Sequence, residues 1–210
     1  MLLEEPQGKM RSDILSKKNE GKIFEDNWKA SYKKLPFYFL RLADAAKWGR
    51  GSDSRFMTTN PFDLLHFKPP YLWLLELKST SDNRISFYPE TPWIKPENVK
   101  SQPMIKHSQV KSLMESTQKD NTIPGFIINF REKEKKTKTF EHETYFVHIN
   151  DFVQFAIESK KSSINREECK KIGVSIDSKK KKVNYTYDIE KFCEDSVKIL
   201  FREKENTYGN

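Results

Sequence analysis

Asp63 and, thirteen residues on, the triplet Glu76-Leu77-Lys78 are the residues of this chain whose types and spacing best suit chemistry. The triplet ends the apolar run Tyr71-Leu72-Trp73-Leu74-Leu75. Side chains in a strand alternate faces, so Glu76 and Lys78 should emerge on one side, roughly 6 to 7 Å apart. That places a carboxylate beside an ammonium. With Asp63 on a preceding strand, two carboxylates could hold a divalent metal while Lys78 steadies a hydroxide or a phosphate oxygen. The Leu77 carbonyl lies between these side chains and could supply a further ligand. Phosphodiester hydrolysis needs an activated water, in-line attack and stabilised charge on the phosphoryl and leaving oxygens. Mg2+ held by one or two carboxylates, waters and a substrate phosphate meets that need, with Mn2+ as a substitute. The plain alternative is a structural ion pair, since Glu-x-Lys recurs by chance in a lysine-rich chain. A charged pair ending a strongly apolar strand is costly to bury unless a metal or partners compensate, which favours the catalytic reading.

These residues need elements to position them. Ile23, Phe24, Trp28 and Tyr32 recur at near-helical spacing and predict an amphipathic helix over 20–34. Phe37 to Leu42 and Phe62 to Phe67 read as strands, Pro69-Pro70 as a turn, and Tyr71 to Ser79 as the buried central strand. Residues 83–102 carry three prolines, with Pro103 just beyond, and predict an irregular connection over the site. Val110, Leu113 and Met114 predict a helix over 108–119. Gly125 to Phe130 and Thr144 to Ile149 read as an antiparallel pair joined by the charged stretch 131–138, followed by a helix over 151–160. Asn165 with Glu168 resembles a capping box, Gly173 a stop, and Asp188 to about Phe201 a further amphipathic helix. Lys179 to Lys182 form a solvated basic run. The expected class is α/β, with a mixed five-stranded sheet flanked by helices.

At 210 residues the chain suits one domain with appendages. We expect a flexible basic arm over 1–18, a core over 19–160 and a C-terminal basic helical extension over 161–210. Within the core, 44–61 carries Trp48-Gly49-Arg50-Gly51-Ser52-Asp53-Ser54-Arg55 and reads as a projecting basic stalk or loop. A net charge of +8 and a pI near 9.2 suit a polyanionic partner. Cys169 and Cys193 are too few and too far apart for a disulfide framework or a zinc cluster. No apolar run approaches a membrane span and no leader pattern opens the chain, so a cytoplasmic protein without a membrane partner is expected.

Gly21-Lys22-Ile23-Phe24-Glu25, Asp63, Glu76-Leu77-Lys78 with Thr80, and His107-Ser108-Gln109 together resemble the RecU-type Holliday junction resolvases, of the restriction-endonuclease-like nuclease superfamily. The likeness runs in order over about residues 21–150. It implies a homodimer that cuts four-way DNA junctions in recombination and repair, with a stalk projecting before the catalytic Asp. It places the metal-dependent site on Asp63, Glu76 and Lys78, a helix glutamate that joins the metal site on Glu25 and a further catalytic glutamine on Gln109. The expected DNA contacts are Lys22, Trp48, Arg50, Arg55 and His107, with Trp48 able to stack on an exposed base. The chain departs from the pattern at Phe62, where the family commonly has a small hydroxylated residue.

Other readings stay open: a restriction or repair nuclease of the same fold acting on duplex or flap DNA, and a non-catalytic architectural DNA-binding protein. His66 falls three residues after Asp63, hence on the opposite strand face, and reads as structural. His142 and His148 lack metal-ligand spacing.

Overall fold

The computed structural model describes residues 20–42, 60–99, 101–135 and 138–208. The arm expected over 1–18 and most of the projecting segment, with Trp48, Arg50 and Arg55, lie outside them.

The chain opens with α1 (Glu20–Ser31), whose Phe24 and Trp28 are buried one turn apart. Then come β1 (Tyr38–Arg41), β2 (Leu64–Lys68), β3 (Tyr71–Thr80), the short β4 (Arg84–Ser86) and α2 (His107–Ser116). Next are β5 (Thr122–Phe130), the ribbon β6 (Lys133–Lys135) and β7 (Lys138–Phe140), β8 (Glu143–His148) and α3 (Ile149–Ser159). The chain continues through β9 (Ser163–Asn165), α4 (Arg166–Ile172), β10 (Val174–Ser175), the hairpin β11 (Ser178–Lys181) and β12 (Asn184–Tyr187), and α5 (Ile189–Tyr208).

The expected mixed α/β sheet is present, with six strands in the order β1-β2-β3-β5-β8-β10. The strand beyond the five expected is β10, which is too short to show alternation in the sequence. Strands β3 and β5 pair parallel, Leu77 opposite Ile127, and the other neighbours pair antiparallel. A parallel pair buried on both faces explains the unbroken apolar run that precedes Glu76. The charged connection between β5 and β8 is itself paired as β6–β7 rather than a bare turn. Among the described residues, no helix is long and apolar enough to cross a membrane.

Alternation divides the core between the two sheet faces. Trp73, Leu75, Leu77 and Ile127 pack with Phe24 and Trp28 of α1 and Phe192 of α5. On the other face, Leu74, Phe126 and Ile128 pack with Val110 and Leu113 of α2 and Phe152 of α3. Residues beyond 161 therefore help build the core: β10 joins the sheet, and Trp73 Nε1 donates to Ser196 Oγ on α5 at 2.9 Å. Gly125 is required where β5 and β8 approach, because a Cβ there would lie 2.5 Å from the Val147 carbonyl oxygen.

His66 is fully buried, as its strand face predicts. Its Nδ1 and the Tyr32 hydroxyl are hydrogen-bonded at 3.0 Å, and its ring stacks on Trp73 with centroids 4.8 Å apart. Burial, reinforced by Lys68, lowers its pKa to about 4.

Candidate active site

The site forms where β2 parts from β3. Leu64 pairs with Leu75, but Asp63 lies just before β2, not inside the strand expected over 62–67. Its N–H donates to the Leu75 carbonyl at 3.1 Å, and its carbonyl accepts from the Leu42 N–H at 2.9 Å. Its carboxylate then takes the next amide of β3, with Leu77 N–H donating to Asp63 Oδ2 at 2.7 Å. A side-chain oxygen thus occupies the place of a strand carbonyl and fixes the carboxylate. The amide and carbonyl of an extended residue point to the same strand edge, so the Leu77 carbonyl also faces this side. Phe62 packs instead against the core under α2 and α3.

Glu76 and Lys78 share the face covered by α2, as alternation predicts. Lys78 Nζ donates to Glu76 Oε1 at 2.9 Å, with only 12% and 4% of the two side chains exposed. Gln109 Nε2 donates to the same Glu76 oxygen. Gln109 is itself held at the start of α2, where its Oε1 accepts from the Lys106 N–H at 3.0 Å. Burial raises the Glu76 pKa to about 7; Lys78 opposes the rise, while the charge of Asp63 and a hydrogen bond to it add to the rise. Asp63 and Glu76 are therefore neighbouring carboxyl groups, and the charge of Asp63 disfavours ionisation of Glu76.

Five of the residues singled out in the sequence thus converge: Asp63, Glu76, Leu77, Lys78 and Gln109. Glu25 stands on α1, with its Oε2 accepting from Arg41. Arg41 pairs with Leu64 across β1–β2, so this ion pair flanks the site from the α1 side. Arg41 is the residue that sequence reasoning missed, since no spacing couples positions 25 and 41. Among the described residues, no group of three His, Cys, Asp or Glu side chains is placed to hold a metal. The two carboxylates and the Leu77 carbonyl are nonetheless the oxygen donors that Mg2+ uses, given that it keeps several waters and takes substrate phosphate. Lys22 is exposed on α1. His107, half-buried at the start of α2, lies with its ring 6.3 Å from that of Tyr88.

No family model matches the chain. It is 37% identical over 194 residues to the SPbeta prophage-derived uncharacterized protein YotM of Bacillus subtilis (strain 168), covering 86% of this chain and 88% of that protein. Among solved structures, it aligns with Archaeoglobus fulgidus Hjc, a Holliday junction resolvase from an archaeal hyperthermophile, at a TM-score of 0.40 and 12% identity. That alignment covers 74% of this chain and 92% of the other.

Proposed function

The chain belongs to the family of the SPbeta prophage-derived uncharacterized protein YotM, and we propose that it is a metal-dependent DNA endonuclease acting through Asp63, Glu76 and Lys78. The observation that carries this reading is the pairing of the Asp63 and Glu76 carboxylates, with the Lys78 ammonium on Glu76 Oε1. Two adjacent carboxylates, one of them with its pKa raised to about 7, form a site that gains from a cation.

Asp63, Glu76 and the Leu77 carbonyl would hold Mg2+ or Mn2+. When bound, such an ion lowers the pKa of a water and offsets charge on the phosphoryl oxygens. Lys78 spends one ammonium proton on Glu76 and has two more to offer a phosphate oxygen as charge builds. Gln109 fixes the Glu76 oxygen from α2, and the Leu77 N–H fixes Asp63 from β3. Preorganised in this way, the carboxylates need little rearrangement when the substrate arrives. The surplus of basic residues favours the approach of a polyanion.

The finer reading is that the preferred substrate is a four-way junction, resolved by a homodimer in recombination and repair. It rests on the ordered resemblance of residues 21–150 to RecU-type resolvases, and on symmetry, because paired nicks across a two-fold junction need two active sites. It would work in the cytoplasm on chromosomal or phage DNA. Magnesium-dependent cleavage of a labelled four-way junction beside a matched duplex tests it. Symmetric nicks on the junction alone would support resolution. Cleavage of both substrates would reduce the reading to a general nuclease, and junction binding without a metal-dependent product would replace it with an architectural role. Sedimentation showing only monomer while junction cleavage persists would remove the dimer.

A further inference from the structure

We infer that the β11–β12 hairpin is a second contact surface for duplex DNA, with Lys179, Lys181 and Lys182 on backbone phosphates and Val183 at the advancing tip. This inference rests on the reading of the chain as a DNA-acting protein and assigns that role to a segment outside the candidate active site.

The hairpin is short and closes tightly. Ser178 pairs with Tyr187 and Lys181 with Asn184, leaving Lys182 and Val183 as a two-residue turn. Such turns favour Asn, Asp or Gly, because one or both central residues need positive φ. Here Lys182 carries a φ of 54°, and beside it stands a β-branched valine that is 81% exposed. A side chain in the left-handed region costs about 1–2 kcal/mol. Neither residue helps the hairpin fold, and Val183 at the tip buries little of its apolar surface. What the pair presents outward is the Lys182 cation, while Val183 borders a cavity with Glu20 and Ile23 of α1.

The root of the hairpin is firmly held. Tyr187 packs on Trp28 with ring centroids 5.1 Å apart, and its N–H donates to Ser31 Oγ at 2.9 Å. Lys180 turns back to pair with Glu132. Lys179, Lys181 and Lys182 are exposed and make no ion pair among the described residues. At the root, Asp177 pairs with Lys191 at 2.6 Å and Asp188 Oδ1 accepts the Lys191 N–H at 3.1 Å, and Asp177, Asp188 and Glu190 line one cavity with Lys179 and Lys181, so the surplus of positive charge lies toward the tip. The result is a rigid ribbon with unneutralised positive charge toward its tip. Tyr185 stacks on His142 with ring centroids 3.6 Å apart, so β12 lies against the body of the protein and the exposed tip, residues 181–184, is the part free to meet a phosphate backbone.

Register places the hairpin at the catalytic end of the sheet. Lys78 and Thr80 lie opposite Ile128 and Phe130 of the parallel β5. Glu132, the anchor for Lys180, follows β5 at that same end. The active site opens on the α2 face and the hairpin on the opposite, α1 face, so the hairpin would hold a duplex arm that passes around the shared end of β3 and β5.

The test is the affinity of the full chain for labelled duplex DNA in EDTA, where no metal-dependent cleavage occurs, across a range of salt concentrations. A Lys179→Gln/Lys181→Gln/Lys182→Gln variant with unchanged thermal melting should bind at least tenfold more weakly at physiological salt. Its slope of log affinity against log salt should be shallower by about 2–3, since each phosphate that a lysine no longer neutralises removes about 0.9. Unchanged affinity and slope would overturn the inference while leaving the nuclease reading intact. Absence of DNA binding by the wild type would overturn both. A binding deficit in the variant, together with no cleavage by the wild type in Mg2+, would support the hairpin and sink the nuclease reading alone.

Discussion

Asp63 Oδ2 accepts the Leu77 amide at 2.7 Å, so one carboxylate both closes the split between β2 and β3 and faces Glu76. Structural and chemical roles of Asp63 can be separated by substitution. Asp63→Asn retains an oxygen for the Leu77 N–H and should melt within about 1 kcal/mol of wild type, yet lose cleavage by two orders of magnitude or more, on the scale of losing an electrostatic group. Asp63→Ala leaves a buried amide unsatisfied and should cost a further 1–3 kcal/mol or so. Equal melting of the two variants would show that the Leu77 hydrogen bond contributes nothing.

Glu76 titrates in a window that unfolding measurements can reach. Its pKa is raised from 4.5 to about 7, so the stability conferred by its protonated form is complete below about 4.5 and is lost as pH rises through 7. His66 and His142, both held down to about 4 mainly by burial, work oppositely: their contribution is complete above 6.5 and is lost as pH falls toward 4. Comparing wild type with Glu76→Gln cancels the histidines. Without metal, the variant's relative stability should grow from pH 5 to about pH 8, reaching on the order of 2–3 kcal/mol, and then level off. Mg2+ at pH 8 should stabilise only the wild type. Parallel pH curves would show that Glu76 ionises normally.

Gln109 holds the Glu76 oxygen from one side and the Lys106 amide from the other. Gln109→Ala should therefore lower the cleavage rate by about 10–100-fold, or raise the Mg2+ requirement by that factor, as expected for a residue that orients a ligand. Gln109→Glu should do worse, because it sets another carboxylate against Glu76. Steady-state cleavage across a Mg2+ titration reads both, and wild-type behaviour of Gln109→Ala would remove it from the site.

His66 supplies the contrast. His66→Ala forfeits the Tyr32 hydrogen bond and opens a cavity against Trp73, which should cost about 2–4 kcal/mol. Cleavage per folded molecule, measured well below the melting temperature, should stay near wild type. A loss of cleavage comparable to that of Asp63→Asn would give His66 a catalytic role.

The chemistry at the end of β3 was legible because alternation alone puts Glu76 and Lys78 on one face, and a buried apolar run makes the charges conspicuous. Asp63 was legible as a residue but not as a conformation, since its place ahead of β2 depends on which neighbours take its amide and carbonyl. The ion pair of Glu25 with Arg41 depends on how α1 docks against the edge of the sheet, a tertiary outcome that no local spacing encodes. β10 escaped reading because two residues carry no period, and the reach of α5 into the core because its hydrogen bond with Trp73 spans more than a hundred residues. The basic run at 179–182 was visible as charge, but only the paired strands show that it is a rigid ribbon.

A metal-dependent hydrolytic site at Asp63, Glu76 and Lys78 has a direct kinetic signature. Single-turnover cleavage of labelled DNA by wild type and Asp63→Asn, each in Mg2+ and in EDTA, tests it most directly. Product should form from the wild type in Mg2+ alone, with the variant reduced at least a hundredfold despite normal folding and DNA binding. Metal-independent cleavage, or full activity in Asp63→Asn, would contradict it.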